Sequence, residues 1–252
     1  MGDPSRISKA IQKSQTERGV PAADAGTGHE RRSVFVPAHR VGRTVRDAEQ
    51  YHTLASEVRL ALPTVGSKVV MLTGSVAGEG ASLVAREFAQ TLAAESEVAT
   101  VLVDANLRDP SVSEAFRVPR DPGLVDLVLS DLPLTQCLRS TDAPRLSILP
   151  AGRPVSSPAR VLSDPRMEQV LAELRRRFGF VIIDVSPIVP FSEGVQFSRL
   201  TDGVVLVVRS GRTKRELVQR ALELLGDAGA RVLGTVLNRR KFYVPRFIYE
   251  RI

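Results

Sequence analysis

Six short runs of apolar, mostly β-branched residues divide the middle of the chain: Val69 to Leu72, Val98 to Val103, Leu146 to Leu149, Phe180 to Ile183, Val204 to Val208 and Val232 to Leu237. They are continuous rather than alternating, which predicts strands buried on both faces. Helical patterns lie between most of them, over Ser82 to Ala94, Pro165 to Phe178 and Lys214 to Ala228. Strands separated by helices return to the same edge of a sheet and pair in parallel, so the pattern predicts an α/β fold built on a doubly wound, mostly parallel sheet. Sheets of this kind take ligands at the carboxyl ends of their strands. The loops that follow the apolar runs are therefore where chemistry is expected.

Outside that body the periodicity changes. Asp3, Pro4 and the spaced apolar residues Ile7, Ala10 and Ile11 predict a short amphipathic helix ending near Gly19. Residues 20–44 have no periodicity and many Pro and Gly breakers, which reads as a flexible linker. Residues 45–62 turn helical again, with Val45, Ala48, Ala55, Val58 and Leu62 able to share a face. The expected organisation is a basic helix and linker over 1–44, one folded domain over 45–238 and a tail over 239–252.

Composition sharpens this picture mainly through charge. The 252 residues are 43% hydrophobic and 25% charged, an ordinary globular balance that excludes collagen-like and globally disordered chains. The net charge of +7 is unevenly placed: residues 1–44 hold eight Lys/Arg against four Asp/Glu, residues 239–252 five against one, and the body 22 against 23. Basic ends on a neutral body fit an anionic membrane surface or an acidic partner, and no specific nucleic-acid binding is expected. One cysteine, Cys137, and three scattered histidines give neither a disulfide nor metal-site spacing. The N-terminus lacks an apolar leader, and no stretch reaches the roughly 20 apolar residues of a spanning helix. The expectation is a cytoplasmic protein, peripheral to the membrane.

Three loops carry the candidate chemistry. The first apolar run leads into Ser75-Val76-Ala77-Gly78-Glu79-Gly80-Ala81-Ser82-Leu83, followed by a helix. Glycines that turn backbone N–H groups toward an anion, a helix N-terminus and a hydroxyl for Mg²⁺ are the parts of a phosphate-binding loop. Ala81 stands where that loop would place its lysine, and Ser75 where it would open with glycine. A glycine turn joining strand to helix is the plainer reading of the loop alone. Asp104 and Asp184 each follow three buried apolar residues, where a strand end can aim a carboxylate at a metal or its water shell, although an aspartate there is commonly only a cap.

Taken together, these stretches resemble the bacterial tyrosine kinases of capsular and exopolysaccharide biosynthesis, P-loop proteins of the deviant-Walker group. GSVAGEGASLVAREFA (74–89) matches their Walker A, VLVDANLRDP (101–110) their Walker A′ and VIIDVSP (181–187) their Walker B. SRISKAIQKSQTER (5–18), EQYHTLASEVRLAL (49–62), LPAGRPVSSPARVL (149–162), DGVVLVVRSGRT (202–213) and GTVLNR (234–239) extend the likeness over nearly the whole chain. The resemblance implies ATP/ADP and Mg²⁺ as cofactors. Gly78, Glu79, Gly80, Ala81, Ser82 and Leu83 would form the phosphate cradle and Asn238 would contact adenine. Ser82, Asp104 and Asp184 would serve the metal. Asp104 would also stand near the attacking hydroxyl, with Arg108 as the arginine closing Walker A′. Tyr243 and Tyr249 would be the phosphate acceptors, with a membrane-embedded polysaccharide co-polymerase or chain-length protein as partner and a homo-oligomer as assembly.

The departures from the family pattern fall at working positions. Ala81 replaces the Walker A lysine, Asn106 the second Walker A′ aspartate, and His52 and Ala55 the two arginines of the oligomerisation motif. A lysine on terminal phosphates makes charge-assisted contacts of roughly 1.5 to 3 kcal/mol. The reading is thus a family member with weakened ATP binding and kinase activity, with Arg108 or a neighbouring chain's arginine as a substitute cation. An active autokinase and a partition-type membrane-positioning ATPase are the alternatives. The tail alternates Arg239, Arg240, Lys241, Arg246 and Arg251 with Phe242, Phe247, Ile248 and Ile252, a pattern suited to an anionic bilayer or to packing back on the domain.

Overall fold

The computed structural model describes residues 45–239 except 64 and 131, and of residues 45–48 the backbone alone. The predicted N-terminal helix, the linker and the tail with Tyr243 and Tyr249 lie outside the described residues. Helix α1 (Val45–Ala61) leads into β1 (Lys68–Gly74), α2 (Ala81–Glu95) and β2 (Thr100–Ala105). Three short helices follow, α3 (Val112–Phe116), α4 (Leu124–Ser130) and α5 (Leu134–Cys137), then β3 (Arg139–Ser140) and β4 (Leu146–Leu149). Helices α6 (Pro158–Leu162) and α7 (Arg166–Arg177) precede β5 (Phe180–Val185), and α8 (Glu193–Phe197) precedes β6 (Gly203–Arg209). Helix α9 (Arg215–Asp227) and β7 (Val232–Asn238) complete the described fold.

The seven strands run in the order β3-β4-β2-β5-β1-β6-β7. Every pairing is parallel except the edge contact of β3 with β4. The apolar runs explain the order: β2 and β5 are buried at all six of their positions, as central strands covered by helices on both faces must be. Strand β2 begins at Thr100 rather than Val98, whose half-exposed side chain instead packs on Gly179.

One face of the sheet is covered by α1 and α2. In α2 the residues Val84, Ala85, Phe88, Ala89, Leu92 and Ala93 recur at helical spacing and are all buried. Tyr51, Leu54, Ala55, Val58 and Leu62 form the buried stripe of α1 against them. Ala55, Val58 and Leu62 are the expected members of this stripe, Tyr51 and Leu54 add to it, and the side chains of Val45 and Ala48 lie outside the described residues. The other face is closed by the short helices, α7 and α9 around Leu124, Leu134, Met167, Leu174 and Phe197. Sheet order then delivers the ends of β2, β5, β1, β6 and β7 side by side along one edge. No helix of the described residues is long and apolar enough to cross a membrane.

Candidate functional site

The glycine loop between β1 and α2 is held from below by its own acidic residue. Glu79 is buried, and its Oε2 accepts the N–H of Val76 at 3.0 Å as well as that of Ser75. Its Oε1 accepts the Thr213 hydroxyl at 2.5 Å. Gly74 permits this fold-back, since a Cβ there would stand 2.7 Å from Glu79 Oε2. From the end of β7, Asn238 Nδ2 donates to the Glu79 carbonyl at 2.8 Å. The backbone N–H groups of Ile188 and Val189 donate to the carbonyls of Gly74 and Ser75 at 2.9 and 3.1 Å, locking the loop to the segment after β5. The loop is thus shaped before any ligand arrives.

Helix α2 begins at Ala81 behind Gly80, which has φ +90° and offers no side-chain cap. The first amides of a helix have no partner within it, so those of Ala81, Ser82 and Leu83 face the loop mouth as anion donors. Ala81 itself is half-buried at the first helical position.

Asp104 and Asp184 stand directly opposite each other in the β2–β5 register. Both are fully buried. Asp104 Oδ2 accepts the Val112 N–H at 3.0 Å, while its Oδ1 and both oxygens of Asp184 have no hydrogen-bond partner. Burial pushes the Asp104 pKa up to about 6 against the lowering pull of nearby amides. Burial, reinforced by the Asp104 charge, pushes Asp184 up to about 8. The Ser82 hydroxyl faces Asp184 and tempers that rise without closing a regular hydrogen bond to either oxygen. Three orphaned carboxylate oxygens beside a hydroxyl are hard donors of the kind Mg²⁺ takes, so these residues fit the ion that the resemblance implies. Among the described residues no third His, Cys, Asp or Glu joins them, so further ligands would be water or phosphate oxygens.

This pair predicts an inverted pH dependence of stability. An unfolded aspartate titrates near 3.8, so between about pH 4 and pH 8 the folded state holds more protons than the unfolded one. Stability then falls as pH rises, by about 1.4 kcal/mol per pH unit for each proton of difference. In chelator, urea unfolding is expected to show a more stable protein at pH 5.5 than at pH 8, and Asp184→Asn to flatten the slope. A wild-type profile that is level over this range would contradict the assignment.

Arg108, expected as a free substitute cation, is otherwise engaged. Its Nε donates to the carboxylate of Glu193, which is 2% exposed, and its guanidinium stands 3.9 Å from the Phe191 ring centroid. Releasing Arg108 would leave a buried carboxylate without its partner, so a substitute role for Arg108 would have to be played with Nε still on Glu193. Asn106 bridges the loops after β2 and β5: its Oδ1 accepts the Ser186 hydroxyl at 2.8 Å and its Nδ2 donates to the Asp109 carbonyl at 3.1 Å. On α1, His52 meets Glu95, whose other oxygen lies 3.0 Å from Arg59, and Ala55 is fully buried. Position 55 of this chain therefore faces the core and not a neighbouring copy.

Sequence reasoning brought together the loop, Asp104, Asp184, Ser82 and Asn238, and all five sit on the same sheet edge. It missed the side chain of Glu79, Thr213, the Glu193–Phe191 seat of Arg108 and Arg209, whose Nη1 lies 3.5 Å from the Gly78 carbonyl. The turn RSGRT at 209–213 was the available signal, because it closes a strand at the same edge.

A glycine loop after the central strand, a helix N-terminus behind it and aspartates ending two neighbouring strands define a P-loop nucleotide-binding fold of the deviant-Walker type. The VpsO kinase domain matches over 77% of this chain and 95% of that chain, with a TM-score of 0.70 and 30% identity. Tyrosine-protein kinase YwqD of Bacillus subtilis is 30% identical over 195 residues, covering 77% of this chain and 82% of that protein. The succinoglycan biosynthesis transport protein ExoP of Rhizobium meliloti is 30% identical over 216 residues, but the match spans only 27% of its length. No family model matches the chain. The chain belongs to the bacterial tyrosine-kinase family of capsular and exopolysaccharide biosynthesis.

Proposed function

We propose that this protein is a nucleotide-binding member of the family with weakened phosphoryl transfer, acting on the inner face of the membrane beside a polysaccharide co-polymerase. The observation that carries the reading is a site whose loop, Ser82 and two aspartates are assembled, while Ala81 and Asn106 stand in place of the family's lysine and second Walker A′ aspartate and Arg108 is held by Glu193. The loop amides would bind ADP or ATP phosphates, and Ser82, Asp104 and Asp184 would hold Mg²⁺. A bound Mg²⁺ would offset the phosphate charge. Asp104, at the end of β2 beside the place of the attacking hydroxyl, would accept the proton of a tyrosine. Asp184, which burial and the Asp104 charge push toward its protonated form, would be drawn into its ionised form by a bound cation. The polysaccharide-export role named for the Rhizobium relative supports the membrane partner.

Mass spectrometry of Tyr243 and Tyr249 after incubation with MgATP tests the reading. Trace modification in the wild type, rising in Ala81→Lys, is expected. Efficient modification of the wild type that Asp104→Ala abolishes would establish the protein as a full autokinase and overturn the weakened-transfer reading.

A further inference from the structure

The strand order divides the site electrically. Asp104 and Asp184 end β2 and β5 on one flank of the glycine loop, while β6 and β7 end on the other. On that second flank the register pairs Arg209 with Asn238, and the Ser210 N–H donates to the Asn238 carbonyl at 2.9 Å. The turn after β6 then folds back, with the N–H groups of Arg212 and Thr213 at 3.4 and 3.1 Å from the Arg209 carbonyl. Arg239 follows Asn238 directly, with φ +56°. Arg209 at the end of β6, Arg212 in the turn after it and Arg239 just past β7 thereby stand within electrostatic reach of one another, and none has a carboxylate ion-pair partner among the described residues.

Two further observations mark this flank as a ligand site. Arg209 reaches the loop itself, with Nη1 3.5 Å from the Gly78 carbonyl. Asn238 is fully buried, and although its Nδ2 holds the Glu79 carbonyl, its Oδ1 has no partner. A buried acceptor left unpaired beside a phosphate loop and a cluster of like charges is a costly arrangement unless an anionic ligand carrying a donor fills it. Desolvation and the neighbouring guanidiniums of Arg212 and Arg239 hold the Arg209 pKa below its ordinary value, as expected of crowded cations without an anion.

Resting on the nucleotide-binding reading above, we infer that Arg209, assisted by Arg212 and Arg239, is the cation that binds the phosphates of a nucleoside diphosphate or triphosphate in place of the missing loop lysine. The contact comes from the β6–β7 flank, away from the aspartate pair. It therefore neutralises the phosphates nearest the nucleoside rather than the terminal one. Affinity is retained by this arrangement, while the charge that develops at a transferred phosphoryl group is not met by the arginines of this flank. The two nucleotides should then bind almost alike, since the γ-phosphate gains little.

Calorimetric titration of MgADP and MgATP into the wild type, Arg209→Gln, Arg209→Lys, Ala81→Lys and the Arg209→Gln/Ala81→Lys double variant tests this. Wild-type dissociation constants for the two nucleotides are expected within about threefold of each other. Arg209→Gln should weaken both by tenfold or more with an unchanged melting temperature of the free protein, Arg209→Lys should recover part of the loss, and the double variant should bind again. Binding by Arg209→Gln equal to wild type would overturn the inference and leave the nucleotide site standing. Wild-type silence with binding by Ala81→Lys would do the same, because the arginines would then be insufficient. Silence of both would remove the nucleotide reading together with this one.

Discussion

Ala81→Lys is expected to raise affinity for MgATP by roughly 10- to 100-fold and tyrosine phosphorylation by up to about 10³-fold. The first figure follows from charge-assisted contacts of roughly 1.5 to 3 kcal/mol to the phosphates, and the second from the rate that a positioned cation supplies in phosphoryl transfer. Position 81 is the first residue of α2, beside Ser82 and Gly80, so an introduced ammonium would enter a loop already tied down by Glu79, Asn238 and the segment after β5. Ala81 is only half-buried, which leaves room for the side chain to reach the loop mouth, and Arg108 stays with Glu193. Titration of MgATP and the initial rate of tyrosine phosphorylation measure the two effects. A variant that folds, binds no better and transfers no faster would show that the site had lost more than its lysine.

Gly80→Ala should cause the largest loss, about 2 to 5 kcal/mol of stability together with nucleotide binding. Gly80 has φ +90°, where a side chain costs roughly 1 to 2 kcal/mol, and a Cβ there would stand 2.2 Å from Asn238 Nδ2. Asn238 would have to move, breaking its bond to the Glu79 carbonyl and leaving a buried amide unpaired at about 1 to 3 kcal/mol. Gly78→Ala provides the internal control. Its φ is +81°, so the backbone strain is similar, but nothing lies within 4 Å of its added Cβ. Urea denaturation should therefore show a clearly smaller loss for Gly78→Ala, and MgADP titration should show binding retained. Equal losses at the two positions would remove the Asn238 clamp from the account of the loop.

The sequence alone determined the layered architecture and most of the candidate site residues. Strands buried on both faces must be apolar at consecutive positions, and helices lying on a sheet must be apolar at every third or fourth, so β1, β2, β4, β5, β6, β7, α2, α7 and α9 were legible from periodicity. A glycine loop before a helix and an aspartate ending a buried run are local patterns, so Ser82, Asp104 and Asp184 were legible too. The helices α3, α4 and α5 were not, because each spans seven residues or fewer and too few turns to impose a period. Edge strand β3 has two residues and no pattern at all. The face of α1 was legible at Ala55, Val58 and Leu62, while the bulky residues Tyr51 and Leu54 find their pocket only in the packed core with α2.

What the tertiary structure alone decided is how the site is wired. Arg108 meets Glu193 across 85 residues of sequence, Thr213 meets Glu79 across 134, and Asn238 meets Glu79 across 159. Such partners are chosen by strand order, which places the ends of β2, β5, β1, β6 and β7 together and leaves no trace in local periodicity. The same order turned two separate aspartates into one buried pair and gathered arginines from two strand ends beside the glycine loop. Local sequence could name these groups because each obeys a local rule. Their charges and hydrogen bonds became a site only when the sheet fixed which of them face one another, and in a buried, weakly screened edge that proximity sets their chemistry.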